Sequence, residues 1–437
     1  MKTLGLDIGT TSISAVVYDS AQGVLAARTE KNGAFLPGRS WERIQDPKQI
    51  AAKAEAMVKE LLALYPDVSA MGVTGQMHGI VYLDREGACV SPLYTWQDER
   101  GDLPHPDGGT WVSHLSEKTG YPLATGYGLV THCYNLHHEL IPDNAVTFCT
   151  IQDHIAMKLA GRTSPVIDPT NAASLGLYDS VNGCFDRAAL EQAGISPDMM
   201  PTCMTEPYLG TGALGIPVYA AIGDNQASFL GAAGGRTDVL LVNVGTGSQI
   251  SVYVPERMET DTLETRPFPG GGWLLVGASL CGGRSYAMLE NFFRETVKMV
   301  TGTEVNAYEA MSRALEASGP LSHFPHAATT FQGTRNDPSL RGSITGIGTD
   351  NFTPVHLIHS ILHGMADELK EMYAGYLRKG GEPRMTIIGS GNGLRMNPHL
   401  CRVLEELFDC DLILSVNQEE AACGAALYAA THHTMAQ

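Results

Sequence analysis

Leu4-Gly5-Leu6-Asp7-Ile8-Gly9-Thr10-Thr11-Ser12 runs straight into Ile13-Ser14-Ala15-Val16-Val17-Tyr18-Asp19. Two apolar, β-branched runs flank a Gly-Thr-Thr turn, the pattern of strand, turn, strand. Glycine lets the backbone approach an anion, and successive turn amides form a concavity that can hold one. Asp7, at the end of the first strand, is placed to hold a hydrated Mg²⁺ through water, since hard cations take oxygen ligands. This is not a P-loop. No GxxxxGK[ST] occurs, and the turn leads into a second strand rather than a helix.

The pattern recurs as Leu241-Val242-Asn243-Val244-Gly245-Thr246-Gly247-Ser248, followed by Gln249-Ile250-Ser251-Val252-Tyr253-Val254. Asp7 aligns with Asn243, Gly9 with Gly245, Thr10 with Thr246 and Ser12 with Ser248. A duplicated hairpin suits two related half-molecules that grip one triphosphate. Two unrelated β-hairpins are the plainer alternative.

At 437 residues the chain exceeds what one hydrophobic core usually supports, so two domains are expected. The boundary falls near Gly231 to Arg236, giving 1–231 and 232–437. A formal charge of −18 with no compensating Lys/Arg run argues against nucleic acid and acidic membranes as partners. The nine cysteines are scattered and include no CxxC pair, which fits reduced thiols better than disulfides or zinc. A strand starts within a few residues of Met1 and no apolar run reaches membrane-spanning length, so the expected location is cytoplasmic.

Helical spacing runs from Lys48 to Tyr65 through Ile50, Ala54, Met57, Leu61 and Leu64. Ser69 to Thr74 reads as a strand delivering Gly75-Gln76-Met77-His78-Gly79 at its C-terminal end, where open α/β sheets place ligands. Tyr94-Thr95-Trp96-Gln97-Asp98-Glu99-Arg100 follows a further strand. Pro217 to Ile222 is a strand running into Gly223-Asp224-Asn225-Gln226 and a small-residue helix. Asp224 can cap that helix or project into a cleft, and the local sequence leaves both open. Asp168-Pro169-Thr170-Asn171-Ala172-Ala173-Ser174 reads as a loop whose role spacing does not reveal. Met385 to Ile388 opens into a Gly-rich loop, Gly389-Ser390-Gly391-Asn392-Gly393, a weak nucleotide signal alone. The last helix is expected over 419–430. His137-His138 and His432-His433 lack metal-ligand spacing and are expected to be exposed to solvent.

In order, these segments resemble the FGGY carbohydrate kinases over nearly the whole chain. Asp7-Ile8-Gly9-Thr10-Thr11 is similar to the family's first phosphate loop, and Gly75 to Gly79 to its ketose-binding strand end. Gly223 to Gln226 is similar to the catalytic segment, Val244 to Ser248 to the second phosphate loop, and Gly389 to Gly393 to the adenosine loop. The resemblance implies an α/β, two-domain actin/Hsp70-like ATPase (ribonuclease H-like) fold, with a duplicated mixed-sheet core and an interdomain active-site cleft. It implies ATP and Mg²⁺ as cofactors and a small-molecule sugar as partner. Asp224 would be the general base, and Asp7 would order the water shell of Mg²⁺. Thr10, Thr11, Ser12, Gly245, Thr246, Gly247 and Ser248 would hold phosphates, while Gly389, Ser390, Gly391, Asn392 and Gly393 leave room for adenosine. Gln76, Met77, His78, Trp96, Asp98 and Asn225 would meet the sugar.

Gln76-Met77-His78 looks like the ketulose branch, as in xylulokinases. Tyr94 to Asp98 looks most like sedoheptulokinases, as does Phe331-Gln332-Gly333-Thr334-Arg335 continuing to Arg341-Gly342-Ser343-Ile344. The chain departs from the family pattern at Glu99, where Gly is usual, and across Thr131 to Pro142. The implied reaction is transfer of the γ-phosphoryl group to a terminal ketose hydroxyl, that of sedoheptulose, or alternatively of xylulose or another ketose or polyol. A chaperone- or actin-like ATPase is the distant alternative, and the Gln76/His78 and Trp96/Asp98 clusters argue against it. Oligomeric state stays open, a homodimer included.

Overall fold

The computed structural model describes residues 1–319, 321–334, 337 and 339–436; Arg335 lies outside them. The chain forms two compact units. The first comprises Met1–Gly235, Pro267–Gly271 and Asn417–Gln437, and the second Arg236–Arg266 and Gly272–Val416.

In the first unit, β1 (Lys2–Ile8) and β2 (Ser12–Asp19) form the expected hairpin, with Ile8 opposite Ile13, and β3 (Gly23–Lys31) pairs antiparallel to β2. Helix α1 (Pro47–Leu64) starts where Asp46 accepts hydrogen bonds from Lys48 N and Gln49 N, with Pro47 in the first turn. Strand β4 (Val68–Gly75) then returns parallel to β1. Helix α2 (Ile151–Leu159) and the short α3 (Pro169–Leu175) follow. Next come β5 (Tyr208–Gly210), β6 (Val218–Tyr219), β7 (Ile222–Gly223) and helix α4 (Asp224–Ala233). The sheet order is β5-β6-β4-β1-β2-β3, with β7 also on β4. Leu4, Leu6, Ile8, Ile13, Ala15 and Val17 pack with Ile50, Ala54, Val58 and Leu61 of α1 into one buried cluster. Truncating one of these leucines to Ala removes about 2–5 kcal/mol.

In the second unit, β8 (Leu240–Val244) and β9 (Ser248–Val254) form the second hairpin. After β10 (Glu264–Pro267), strand β11 (Trp273–Ser279) pairs antiparallel to β9. Helices α5 (Gly282–Thr301) and α6 (Pro354–Arg378) precede β12 (Thr386–Ser390), which runs parallel to β8. Helices α7 (Asn392–Arg395) and α8 (Pro398–Phe408) lead to the edge strand β13 (Asp411–Leu414). The run β3-β2-β1-β4 and the run β11-β9-β8-β12 have the same order and the same strand senses. Plain, unrelated hairpins would not share that ladder. The core is duplicated.

Helix α9 (Glu420–Ala436) packs in the first unit, against β1, β4 and α4. The approach is close because glycines line it. A Cβ on Gly5 would overlap the Ala422 carbonyl, and one on Gly424 the Ala227 carbonyl. With no side chain between them, backbones meet directly.

Two elements differ from the sequence reading. Residues 169–175 are helical rather than loop, with Asp168 as the cap accepting from Thr170 N. The Gly389–Gly393 segment is not a loop: Gly389 and Ser390 close β12, Gly391 is the cap, and α7 starts at Asn392. Among the described residues no helix is long and apolar enough to cross a membrane, and the cysteines are free thiols.

Candidate active site

The first Gly-Thr turn is held from behind. Gly9 O accepts from Asn32 Nδ2 (2.7 Å), Thr10 O from Gln45 Nε2 (2.9 Å) and Thr11 O from Asn32 N (2.8 Å). Three successive carbonyl dipoles that would repel an anion are thereby tied to protein donors. Gln76 N bonds Ile8 O, and the Gln76 side chain lies between Thr10 and Gln45. Thr10 Oγ1 donates to Gln76 Oε1 at 3.2 Å and accepts from Trp96 Nε1 at 3.0 Å. The Thr10 hydroxyl is thus occupied in tying sugar-side residues to the turn, which leaves its backbone for a phosphate. Trp96 is 46% exposed rather than a core aromatic.

Beside this turn, β7 pairs with β4 so that Gly223 lies opposite Gly75. Asp224 is the first residue of α4, and the capping position belongs to Gly223, so Asp224 does not serve as the cap. The site is tight: a Cβ on Gly223 would come within 2.7 Å of Met77 Sδ and 2.6 Å of Gln226 Oε1, so both side chains would have to move. Asn225 Oδ1 is buried with no hydrogen-bond partner among the described residues, an acceptor suited to a ligand hydroxyl. His78 follows at φ +73°, a left-handed conformation uncommon outside glycine. Its Nδ1 lies 2.7 Å from the Ser174 carbonyl, an acceptor, so Nδ1 is the donor of that bond. The ring stacks on Tyr127 at 4.7 Å.

Asp98 is corrected. Its carboxylate is completely buried, accepts from Arg100 Nε at 2.6 Å and Nη2 at 3.1 Å, and takes Arg43 N on the same group. Arg100 is equally buried, bonds Asn135 Oδ1 and lies over the Tyr94 ring. An acid sealed this way shapes the segment carrying Trp96 and does not itself reach a sugar.

Asp7 faces two further acids of the first unit. Burial, then Asp224, then Glu419 push the Asp7 carboxyl up to about 8. Asp7 pairs with Ser14 across β2, and Ser14 with Thr29 across β3; Ser14 and Thr29 share a 3.1 Å hydroxyl contact. Thr29 Oγ1 donates to Glu419 Oε1 at 2.7 Å, so one polar row across three strands ends on Glu419. The donors are all oxygen, and Asp7 Oδ1 is buried without a hydrogen-bond partner among the described residues. This set fits a hard divalent cation.

In the second unit the Gly245-Thr246-Gly247 turn is tied down in the same way: Gly283 N bonds Gly245 O (2.9 Å) and Arg284 N bonds Thr246 O (3.0 Å). A cavity of about 800 Å³ opens beside it, lined among others by Thr246, Arg284, Tyr308, Asn392, Gly393 and His399. That volume is typical of a site for a nucleotide-sized ligand. Gly245, Thr246, Asn392 and Gly393 line it. Gly389 and Ser390 instead lie buried in the sheet, and Gly391 closes against the Val244 backbone. Asn243, the counterpart of Asp7, donates to Ser390 Oγ at 2.8 Å.

Sequence patterns missed Asn32, Gln45, Ser174 and Glu419, since none lies in a Gly-rich or acidic motif; only the Glu419-Glu420 pair gives a faint signal. The histidine pairs divide. His137 and His138 are exposed as expected, but His432 and His433 are half-buried against Tyr219. His105, Asp107 and His114 have ligand atoms within 4.8 Å. The two imidazoles stack nearly parallel at 3.7 Å, so their lone pairs do not converge, and Asp107 N occupies His105 Nδ1.

The N-terminal domain of the FGGY family of carbohydrate kinases matches residues 2–231, and the C-terminal domain residues 240–433. The chain belongs to the FGGY carbohydrate kinases. This FGGY kinase is 29% identical to a sedoheptulokinase from Mus musculus, over 97% of the chain and 96% of that protein. Its fold is that of a xylulose kinase from Rhodospirillum rubrum (TM-score 0.84, 23% identity, 99% of this chain and 90% of that one). It is equally recognisable in a Plasmodium falciparum glycerol kinase solved with ADP (TM-score 0.81, 17% identity, covering 99% and 90%). The kinase is therefore a sugar phosphotransferase with the actin/Hsp70-like, two-domain α/β fold.

Proposed function

We propose that this kinase transfers the γ-phosphoryl group of ATP to the terminal primary hydroxyl of a ketose, with sedoheptulose as the preferred acceptor. The observation carrying the chemistry is the pairing of Gly223 with Gly75, which brings the Asp224 helix start beside Gln76-Met77-His78. The mouse relative's name supports the choice of sugar.

In this reading His78 and Asn225 bind sugar hydroxyls, with Trp96 offering an exposed ring face. Asp224 takes the proton of the primary hydroxyl as its oxygen bonds to the γ-phosphorus and the bridging bond to ADP breaks. Phosphoryl transfer has a loose transition state, so orientation and charge neutralisation carry most of the catalysis. The tied-back Gly-Thr turns present amides to phosphate oxygens. Asp7, with Glu419 beside it, would hold Mg²⁺ through water; when bound, the ion neutralises phosphate charge. The second-unit cavity holds the nucleoside portion.

The test is ADP release with MgATP against sedoheptulose, xylulose, ribulose, fructose and glycerol, with the product's phosphate position read by NMR. The highest kcat/KM is expected for sedoheptulose. Preference for a polyol, or sugar-independent ADP release, would overturn the proposal.

A further inference from the structure

Helix α3 carries a hydrogen-bond network that the chemistry above does not use. Asp168 Oδ1 accepts from Thr170 N (2.8 Å) and Thr170 Oγ1 (2.6 Å). With its single proton spent on Asp168, the Thr170 hydroxyl accepts Gly223 N at 2.9 Å. Asn171 Nδ2 divides its two protons between Ala221 O (2.9 Å) and Asp153 Oδ1 (3.1 Å), while its Oδ1 accepts Gln152 Nε2 (3.0 Å). Ser174, near the end of the same seven-residue helix, holds the other neighbour. Its Oγ donates to Asn171 O and accepts His78 N (3.2 Å), and its carbonyl takes His78 Nδ1. Asp168, Thr170, Asn171 and Ser174 are all buried.

We propose that α3 is the positioning element of the transfer site: Thr170 fixes the backbone that aims Asp224, and Ser174 fixes the strained backbone and ring of His78. Neither residue touches a reacting atom. One seven-residue helix thus sets the distance between the base and the sugar-binding histidine, with Asn171 holding Ala221 just ahead of β7. Buried hydrogen-bond networks restrict the backbone they hold, and a small misplacement of a catalytic group costs turnover rather than affinity. The inference rests on the reading of Asp224 as base and His78 as sugar contact.

The experiment compares Thr170→Val, Thr170→Ser, Ser174→Ala and Asp224→Asn by steady-state kinetics on the preferred ketose, with far-UV circular dichroism as the check on folding. Thr170→Val is expected to lower kcat about tenfold or more, with the sugar KM within about twofold of wild type. Thr170→Ser, which keeps the hydroxyl, is expected to restore kcat. Ser174→Ala is expected to raise the sugar KM about threefold or more with little change in kcat. Wild-type kcat in Thr170→Val, or no rescue by Ser, overturns the inference while an inactive Asp224→Asn leaves the base assignment standing. Normal turnover in Asp224→Asn sinks the base assignment itself. If Thr170→Val does not fold, Ser174→Ala decides, and an unchanged sugar KM overturns the proposal.

Discussion

The indole Nε1 of Trp96 donates to Thr10 Oγ1 at 3.0 Å, and Thr10 Oγ1 donates on to Gln76 Oε1. A half-exposed tryptophan is therefore fastened to the first Gly-Thr turn through one hydroxyl. Trp96→Phe keeps the ring face and loses the bond. It should lower kcat/KM for the sugar about tenfold, the scale of one hydrogen bond to a well-placed group. Sugar titration followed by intrinsic fluorescence should show quenching in the wild type that the variant lacks. Identical titration curves would count against a sugar-side role.

Asp224 opens α4 without being its cap, so neutralising it leaves the helix start intact. Asp224→Asn should melt no lower than the wild type and lose roughly 10²- to 10⁴-fold in kcat, with the sugar KM little changed. Turnover close to wild type would refute the assignment.

The Asp7 carboxyl titrates near 8 in the folded protein, against an ordinary 3.8, because burial, Asp224 and Glu419 all oppose its charge. A folded pKa raised this way means the unfolded chain releases the proton first. Stability is therefore lost as pH rises from about 4 to about 8 and levels off above. Asp7→Asn removes that loss. In EDTA its melting temperature should match the wild type near pH 4 and exceed it increasingly up to pH 8, while its activity with MgATP collapses. A constant difference across that range would contradict the pH argument.

Asp98 and Arg100 form a buried pair with a 2.6 Å contact, so removing the acid strands a guanidinium. Asp98→Ala should cost about 3 kcal/mol or more of unfolding free energy by urea titration. A variant of unchanged stability whose only defect is a raised sugar KM would restore Asp98 to the sugar contacts.

Both hairpins were legible because period-two apolar runs flank the same Gly-Thr core, and the order of motifs carried the family. Asp224 could be placed at a strand end and helix start, but not its freedom from capping. Gly223 takes the cap position because its pairing with Gly75 keeps it extended, which is tertiary information. The helical state of 169–175 was hidden by its length: seven mostly buried residues, about two turns, show no amphipathic period, although Asp168-Pro169 is a recognisable start signal. Glu419 was hidden by chain distance, reaching Asp7's row through Thr29 on a strand built at the other end of the sequence. The sealed state of Asp98 follows from Arg100 and Arg43, neighbours whose roles no spacing rule assigns.

Because residues 417–436 cover the glycine-lined face of β1 and β4, that surface stays bare until the ribosome has translated the whole second unit. At ordinary elongation speeds the wait is roughly ten to forty seconds. During synthesis that face of the nascent first unit stays open to chaperones, and Asp7 gains its Glu419 neighbour only after the second unit has been made.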